Sequence, residues 1–336
     1  MSAVTASLDL PVADAALAES VRVGLAAVER RLAEAVQQND KLADDASRHL
    51  IEAGGKRVRP MLTLLAGFLA DGARAEVIEA AVVVELTHLA TLYHDDVMDS
   101  APVRRGAPAA HQVWGNTVAI LTGDLLFARA SVIVADLGPE AVRIQASTFE
   151  RLCLGQMHET VGPAADQDPV EHYLQVLGDK TGSLIATAGR FGAMFAGCPD
   201  DVIDVMVAFG ERVGVAFQLA DDVIDLASAP GESGKTPGTD LREGVPTLPV
   251  LLVRRAAAEG DESAREVVAM LDADLSEDDA LAEAVTALAR HPATAAARAE
   301  ATRWAREAVA VLDPLPEGPA KEALQAFAEA TVARSR

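Results

Sequence analysis

The stretch from Glu76 to Met98 constrains the fold more than any other part of this chain. It contains no Gly or Pro, so nothing within it would interrupt a helix several turns long. Its most apolar part, 80–93, is interrupted by Glu85 and His88, which argues against a membrane span. The sequence therefore predicts one long helix, closed by the Pro- and Gly-containing loop that follows it.

Composition favours an all-α fold. Although 50% of the residues are hydrophobic, only 4% are aromatic, so strand-forming side chains are scarce. The sequence also lacks the alternation of a half-buried strand. Further helices are predicted at 15–51, 118–137, 141–159, 171–196 and 201–226, and through the C-terminal third. The segment 228–249 is rich in Gly, Pro, Ser and Thr and predicts a long functional loop that enters a helix at Leu248.

Charge and cysteine content limit the classes of function. The chain has 29 Lys and Arg against 51 Asp and Glu, a formal net charge of −22 that would repel nucleic acid and an anionic membrane face. Cys153 and Cys198 form no CxxC motif, and the N-terminus has no basic stretch followed by an apolar run. We therefore expect a cytoplasmic protein with no membrane span and no nucleic-acid partner.

An acidic cluster at Asp95, Asp96 and Asp99 ends the long helix. Spacing of four residues places Asp95 and Asp99 on one face, where like charges destabilise a helix by roughly 0.2–0.5 kcal/mol. A bound cation would make this arrangement favourable, and Mg²⁺ suits paired oxygen ligands because it takes the others from water and substrate phosphates. A single cluster of this kind is more often an acidic helix end that faces solvent.

The same pattern recurs at Asp221, Asp222 and Asp225, late in a second apolar helical run. Unpaired charges beside apolar residues are costly, so two such clusters are hard to explain as solvated surface. We expect the two clusters to face one another across a cavity and to hold Mg²⁺ ions around a diphosphate.

Basic residues occur where a diphosphate site would need them. Lys56, Arg57 and Arg59 follow a Gly-Gly turn, and Arg104 and Arg105 follow the first acidic cluster. Lys180 stands in a mid-chain helix, and Lys235 lies in the Gly-rich loop. Any one of them could be a surface ion pair worth at most about 1 kcal/mol. As a set in so acidic a chain, they indicate phosphate recognition.

These motifs resemble the trans-isoprenyl (polyprenyl) diphosphate synthase family, long-chain type. The segments that carry the resemblance are Gly54–Pro60, Asp95–Asp99 with Arg104–Gly106, Lys180-Thr181, Gln218 and Asp221–Asp225. The resemblance implies a single all-α domain over residues 1–336, a helical bundle around a deep central cavity, usually assembled as a homodimer. About fifteen N-terminal residues are expected to be disordered, and composition alone leaves the domain count open.

The resemblance also implies roles for individual residues. The ligands of Mg²⁺, which Mn²⁺ would be able to replace, are Asp95, Asp96, Asp99, Asp221, Asp222 and Asp225. The residues that hold the allylic diphosphate directly are Arg104, Lys180, Thr181, Gln218 and Lys235. Those of a separate, metal-free site for isopentenyl diphosphate are Lys56, Arg59, His88 and Arg105. The residues expected to act in catalysis are Asp95, Asp99, Arg104, Lys180, Asp221 and Lys235.

His88 lies two helical turns before Asp95 on the same face, which suits a role in binding isopentenyl diphosphate. The alternative is that His88 is a hydrogen-bonded core histidine.

The reaction implied is the extension of an allylic diphosphate by successive isopentenyl diphosphates. Metal ions and cationic side chains stabilise the departing diphosphate, and the double bond of isopentenyl diphosphate attacks the resulting carbocation. In the family the released diphosphate is thought to accept the proton, so no Ser/His/Asp or Cys/His set is needed. An apolar cavity protects the cation from water.

One position departs from the family pattern. Where many members have a lysine five residues after the position of Asp240, this chain has Val245. Either Arg242 supplies the missing charge or the loop closes less tightly.

Two other functions compete with this interpretation. A terpene cyclase ionises a prenyl diphosphate with the same metal, but it has no use for the second diphosphate site indicated by Lys56, Arg59 and His88. A non-catalytic partner subunit usually loses an acidic cluster, whereas both are intact here.

Small residues before the first acidic cluster predict a long product. One isoprene unit spans about one helical turn, roughly 5.4 Å. Ala90 and Thr91, one turn before Asp95, are small, and Val83, Val84 and Thr87 farther back carry no ring. We expect more than about twenty carbons, in the range of about thirty to fifty, with geranylgeranyl or farnesyl diphosphate as the alternative. A large side chain from another helix would instead close the tunnel.

Overall fold

The structure is a computed structural model that describes residues 12–227 and 238–333. Helices dominate these ranges, so the all-α prediction is confirmed. The first half of the chain contains α1 Ala15–Ala35, α2 Lys41–Glu52, α3 Val58–Gly67, α4 Ala75–Met98, α5 Ala110–Trp114, α6 Asn116–Asp136 and α7 Pro139–Val161. The second half contains α8 Pro169–Leu177, α9 Ser183–Ala196, α10 Asp200–Ala227, α11 Thr239–Arg242, α12 Leu248–Glu259, α13 Glu262–Leu271, α14 Asp278–Arg290, α15 Pro292–Val311 and α16 Pro319–Ala333.

Aspartate side chains mark several helix starts. Asp14, Asp40, Asp168 and Asp261 each accept a hydrogen bond from a backbone N–H in the first turn of α1, α2, α8 and α13. Such a cap contributes about 1 kcal/mol. Asp40 explains why the predicted helical stretch 15–51 is two helices, since it begins α2 after a turn.

Helix α4 runs Ala75–Met98, close to the predicted 76–98. It is apolar around its circumference and mostly buried, as expected of a core helix, and it packs against α3, α6 and α9. A Cβ added to Gly123 of α6 would lie 3.0 Å from the carbonyl oxygen of Ala90, so glycine lets these two helices approach closely.

A short antiparallel hairpin follows α4, where the sequence predicted only a loop. Strands β1 (Val103–Arg104) and β2 (Ala107–Pro108) pair Val103 with Pro108 and Arg104 with Ala107. Arg105 and Gly106 form its turn with φ of 54° and 78°, the left-handed conformation that two-residue hairpin turns require.

The chain divides into two compact units. In its described part, the first unit comprises residues 12–151, 183–210 and 311–327, with a core built on α4. The second comprises 152–182, 211–227, 238–310 and 328–333, with cores on α10 and on α12 to α14. The single domain over 1–336 stays a prediction.

The second unit contains an irregularity that the sequence did not reveal. The predicted helix 171–196 holds a π-helical turn at Gly178–Gly182, between α8 and α9. Such turns often occur at functional positions. Helix α12 begins at Leu248 as predicted, whereas residues 228–237 of the predicted loop and 1–11 of the N-terminus lie outside the described residues.

Helix α6 is, among the described helices, the one with the length and apolar composition to cross a bilayer. This is weak evidence for a span, because core helices of soluble proteins share these properties.

Candidate active site

The first acidic cluster lies in the last turn of α4. The helix continues to Met98, and Asp99 is its C-cap, with its N–H bonded to the carbonyl oxygen of Asp95 at 2.8 Å. Asp95 is half-buried and Asp99 exposed. The predicted arrangement of these two carboxylates on one turn is therefore present.

Asp96 differs from its neighbours because it is completely buried. Its Oδ1 accepts a hydrogen bond from Nε of Arg104 at 2.6 Å, while its buried Oδ2 has no hydrogen-bond partner. Burial raises the pKa of Asp96, and the charge of Arg104 partly opposes this. Arg104, predicted to hold diphosphate, thus also anchors the hairpin to α4.

Two arginines of the first unit, Arg57 and Arg105, contact the buried carboxylate of Glu85. Nη1 of Arg57 lies 2.8 Å from Oε1 of Glu85, and Nη2 of Arg105 lies 3.8 Å from the same oxygen. Nε of Arg57 also donates to Glu29 at 2.5 Å. Although burial lowers the pKa of Arg57, its bonds to Glu29 and Glu85 raise that pKa above the ordinary value.

The pKa values of Arg59 and His88 indicate that the side chains around Glu85 carry more positive than negative charge. Burial lowers the pKa of Arg59 to about 10, with Glu85 opposing and Arg105 adding to the shift, and Nε of Arg59 is buried without a hydrogen bond. Burial, followed by the charge of Arg59 and Arg105, holds the pKa of His88 well below its usual 6.5. A bound anion would raise the pKa values of both Arg59 and His88. Lys56, exposed on the same loop, would add a further cation.

The positions predicted to limit chain length lie on the buried side of α4. Ala90 is 1% exposed and belongs to the core of the first unit, and Thr91 is half-buried with its hydroxyl donating to the carbonyl oxygen of His88. Val84 and Thr87, the next positions along this side, are also buried.

In the second unit, the π-helical turn presents Lys180 and Thr181. Nζ of Lys180 lies 2.5 Å from Glu159, and Oγ1 of Thr181 donates to Oε1 of Gln218 at 3.4 Å. Gly155 of α7 lets the π-helical turn approach closely, because a Cβ at this position would lie 2.7 Å from the backbone nitrogen of Lys180. Three residues that were predicted to bind the same diphosphate are therefore close together.

Asp222 is the buried member of the second acidic cluster. Its carboxylate accepts hydrogen bonds from Nε2 of Gln218 at 3.1 Å and from the hydroxyl of Tyr173. Burial raises the pKa of Asp222 well above its ordinary value, and the negative charges of Asp240 and Asp225 add to the rise. Asp221 and Asp225 are half-buried.

The start of α11 brings a further carboxylate beside the cluster, since the backbone N–H of Asp240 donates to Oδ2 of Asp225 at 3.3 Å. Arg242 points elsewhere, with Nη2 2.5 Å from Asp278 of α14. Lys235 lies outside the described residues. In this structure the charge of Arg242 is paired with Asp278, and its replacement of the lysine missing at Val245 stays a prediction.

The donor chemistry of each cluster fits a hard divalent cation. The described residues contain no set of three or more His, Cys, Asp or Glu side chains arranged to hold a metal by themselves. Mg²⁺ does not require one, because it binds through one or two carboxylates and completes its shell with water and phosphate oxygens. The orphaned Oδ2 of Asp96 and the like charges around Asp222 are the features that a cation would stabilise.

Two residues of these groups, Glu85 and Tyr173, were not predicted from the sequence. Glu85 carried a signal, since it is the charged residue within the apolar stretch of α4, yet its partners could not be identified. Tyr173 carried none, because a single tyrosine on a helix is most often core.

Comparisons with known proteins agree with these features. The model of the family "Polyprenyl synthetase" matches residues 40–288. The nonaprenyl diphosphate synthase of Mycobacterium tuberculosis is 47% identical over 332 residues, 98% of this chain and 98% of that protein. A geranylgeranyl pyrophosphate synthase from Corynebacterium glutamicum, crystallised with calcium and isoprenyl diphosphate, is 44% identical with a TM-score of 0.84, covering 96% of this chain and 98% of that one.

A decaprenyl diphosphate synthase structure from Rhodobacter capsulatus is 32% identical with a TM-score of 0.84, covering 95% of this chain and 98% of that one. The resemblance to long-chain trans-isoprenyl diphosphate synthases that the motifs predicted is therefore confirmed. The chain belongs to the polyprenyl synthetase family, and it is a prenyltransferase.

Proposed function

We propose that this protein condenses an allylic diphosphate with successive isopentenyl diphosphates, releases diphosphate at each step and yields a long-chain all-trans polyprenyl diphosphate. The observation that carries the proposal is the 47% identity to a nonaprenyl diphosphate synthase over almost the whole of both chains. The intact acidic clusters at Asp95–Asp99 and Asp221–Asp225 support an active enzyme over a non-catalytic subunit.

The metal is proposed to be Mg²⁺, with Mn²⁺ able to replace it. Its proposed ligands are the carboxylates of Asp95, Asp96 and Asp99 at the end of α4, and of Asp221, Asp222 and Asp225 at the end of α10. Bound Mg²⁺ would supply positive charge that stabilises the departing diphosphate. The calcium ion crystallised with the Corynebacterium glutamicum relative supports a divalent cation.

The allylic diphosphate is proposed to be held directly by the side chains of Arg104, Lys180, Thr181, Gln218 and Lys235. Lys and Arg act as charge-assisted donors to its oxygens, and Thr181 and Gln218 add neutral hydrogen bonds. Fixed donors of this kind stabilise the charge that develops when the allylic C–O bond breaks. Diphosphate then leaves with the bonding electron pair, and the allylic carbon becomes cationic.

Isopentenyl diphosphate is proposed to bind at Lys56, Arg59, His88 and Arg105 in the first unit. The unpartnered Nε of Arg59 and its lowered pKa support an anion as the missing partner. The double bond of isopentenyl diphosphate attacks the allylic cation to form a carbon–carbon bond. The new cation then loses a proton to the released diphosphate, which gives an allylic diphosphate one unit longer.

Two copies of the chain are proposed to associate through α6. Its outward stripe contains Ile120, Leu121 and Val132, which are 42%, 59% and 62% exposed. An exposed apolar stripe on a helix needs a covering surface, and a second copy of the same stripe satisfies this by twofold symmetry. Association of this kind, in a soluble cytoplasmic protein, accounts for the apolar helix without a membrane.

The proposed reaction is tested by incubating the purified protein with labelled isopentenyl diphosphate, Mg²⁺ and one allylic primer at a time. Label should enter solvent-extractable prenyl chains only when the primer and metal are present. Absence of incorporation with primers of five, ten, fifteen and twenty carbons would contradict the proposal. The second candidate, geranylgeranyl diphosphate synthesis, is favoured by the 44% identity to the Corynebacterium glutamicum protein, and product length separates the two.

A further inference from the structure

Glu85 is a buried carboxylate shared by two arginines from different parts of the first unit. It is 1% exposed and stands among apolar residues of α4. Arg57 comes from the loop that precedes α3, and Arg105 comes from the hairpin turn. Oε1 of Glu85 lies 2.8 Å from Arg57 Nη1 and 3.8 Å from Arg105 Nη2, so one oxygen joins both loops to the helix.

The loop that contains Arg57 adopts a backbone conformation that needs external support. Arg57 has φ of 49°, the left-handed region that is unfavourable for a residue with a Cβ. Its guanidinium is 3% exposed, and it also bonds Glu29 and the carbonyl oxygen of Ile51. These contacts hold the residue in place, and Lys56 is its direct neighbour in the chain.

Arg105 is fixed against the same loop. Its Nη1 donates to the carbonyl oxygens of Leu50, at 3.1 Å, and Gly54. The guanidinium covers Gly55, where an added Cβ would lie 2.7 Å from Cζ of Arg105. Hairpin and loop are therefore held together by direct contact as well as through Glu85.

We propose that Glu85 is a positioning residue for the binding of isopentenyl diphosphate, which it serves by holding Arg57 and Arg105 so that Lys56, Arg59 and Arg105 present their charges to one anion. This inference rests on the assignment of these cations to isopentenyl diphosphate. Glu85 itself makes no contact with substrate in this scheme, because its carboxylate is buried against Arg57 and Arg105.

Removing the charge of Glu85 should weaken the binding of isopentenyl diphosphate, whereas an electrostatic effect alone would strengthen it. If Glu85 contributed only its negative charge, removing that charge would make the site more positive and would tighten the binding of a diphosphate. If Glu85 positions the two arginines, removing its charge loosens the loop and the hairpin and weakens binding. The sign of the change therefore distinguishes the two roles.

The test is steady-state kinetics of Glu85→Gln, a substitution of nearly equal shape. The KM for isopentenyl diphosphate should rise about tenfold, while kcat and the KM for the allylic primer change by less than about threefold. Glu79→Gln is the matched control, since Glu79 lies on the same helix and forms a half-buried ion pair with Arg31 at 2.7 Å. Its kinetic constants should equal those of the wild type.

A fall in the isopentenyl diphosphate KM of Glu85→Gln, no change in it, or an equal rise in both KM values would overturn the proposal. If Glu85→Gln does not fold, Glu85→Asp decides, because it keeps the negative charge but shortens the side chain that bonds Arg57 and Arg105. This variant should also raise the isopentenyl diphosphate KM selectively, and unchanged constants would overturn the proposal.

Arg59→Ala separates this proposal from the assignment on which it rests. When Arg59→Ala raises the isopentenyl diphosphate KM selectively and Glu85→Gln does not, the substrate site is supported and the role of Glu85 is wrong. When Arg59→Ala leaves that KM unchanged, the substrate site itself is wrong.

Discussion

Nε of Arg104 donates a hydrogen bond to Oδ1 of Asp96 at 2.6 Å, and this bond ties the hairpin to the last turn of α4. Asp96 is completely buried, whereas Asp99 in the same cluster is exposed. The three aspartates of the cluster therefore have different surroundings. Asp96 ties the hairpin to α4 through its Oδ1, whereas Asp95 and Asp99 lie nearer the surface.

Asp96→Ala should lower the free energy of unfolding by about 1–3 kcal/mol, because it removes a hydrogen bond between charged groups from a buried position. Asp99→Ala is the matched control on the same turn and should change stability by less than about 0.5 kcal/mol. Urea denaturation followed by circular dichroism measures both. Equal stability of the two variants would show that the Asp96–Arg104 pair does not hold the hairpin.

Asp95→Asn and Asp221→Asn should each lower kcat by orders of magnitude at saturating Mg²⁺, because each removes a charged ligand from the metal. Their circular dichroism should match that of the wild type. Asp45→Asn, which alters an exposed ion pair of α2, is the control and should remain fully active. Near-normal turnover by either cluster variant would exclude that cluster from the reaction.

The outer carboxylates illustrate what sequence periodicity can predict. Asp95 and Asp99 lie on one turn because helical spacing alone fixes their relation. The same applies to Gln218 and Asp222, which are four residues apart and hydrogen-bonded. These relations are local, so they require no knowledge of how helices pack.

Other features depend on contacts between distant segments, and the sequence did not predict them. The inward orientation of Asp96 depends on Arg104, and the burial of Glu85 depends on Arg57. The strands of the hairpin are too short to show alternation. The π-helical turn at Gly178–Gly182 differs from an α-helical turn in its backbone hydrogen-bond partners, which the residue types of this segment do not reveal.

Acid should destabilise the protein through His88. Burial, with the charge of Arg59 and Arg105, holds its pKa well below 6.5, so the unfolded chain takes up a proton at a pH where the folded protein does not. The contribution of neutral His88 to the free energy of unfolding is fully present above about pH 6.5, and it is lost as the pH falls below that value. His88→Gln should remove this component from the pH dependence of the unfolding free energy. Parallel profiles for variant and wild type between about pH 7.5 and 5 would contradict the assignment.

Charge on the outer stripe of α6 should separate the proposed dimer. Leu121→Glu with Val132→Glu places two like charges on each copy, where a twofold interface would bring them together without water. Size-exclusion chromatography with light scattering should give a dimer for the wild type and a monomer for the double variant. Val23→Glu on α1, a site 54% exposed, is the control and should leave the dimer intact. A monomeric wild type would contradict the role of α6.

The length of the prenyl product tests the central claim most directly. Mass spectrometry of the products formed from labelled isopentenyl diphosphate and a ten-carbon primer should find chains of about thirty to fifty carbons for the wild type. Ala90→Phe should shorten them to about fifteen to twenty carbons, and Val84→Phe, about 9 Å farther along α4, should give intermediate lengths. Wild-type chains that already end at twenty carbons, or an Ala90→Phe distribution identical to that of the wild type, would contradict the account of a long-chain synthase whose tunnel follows α4.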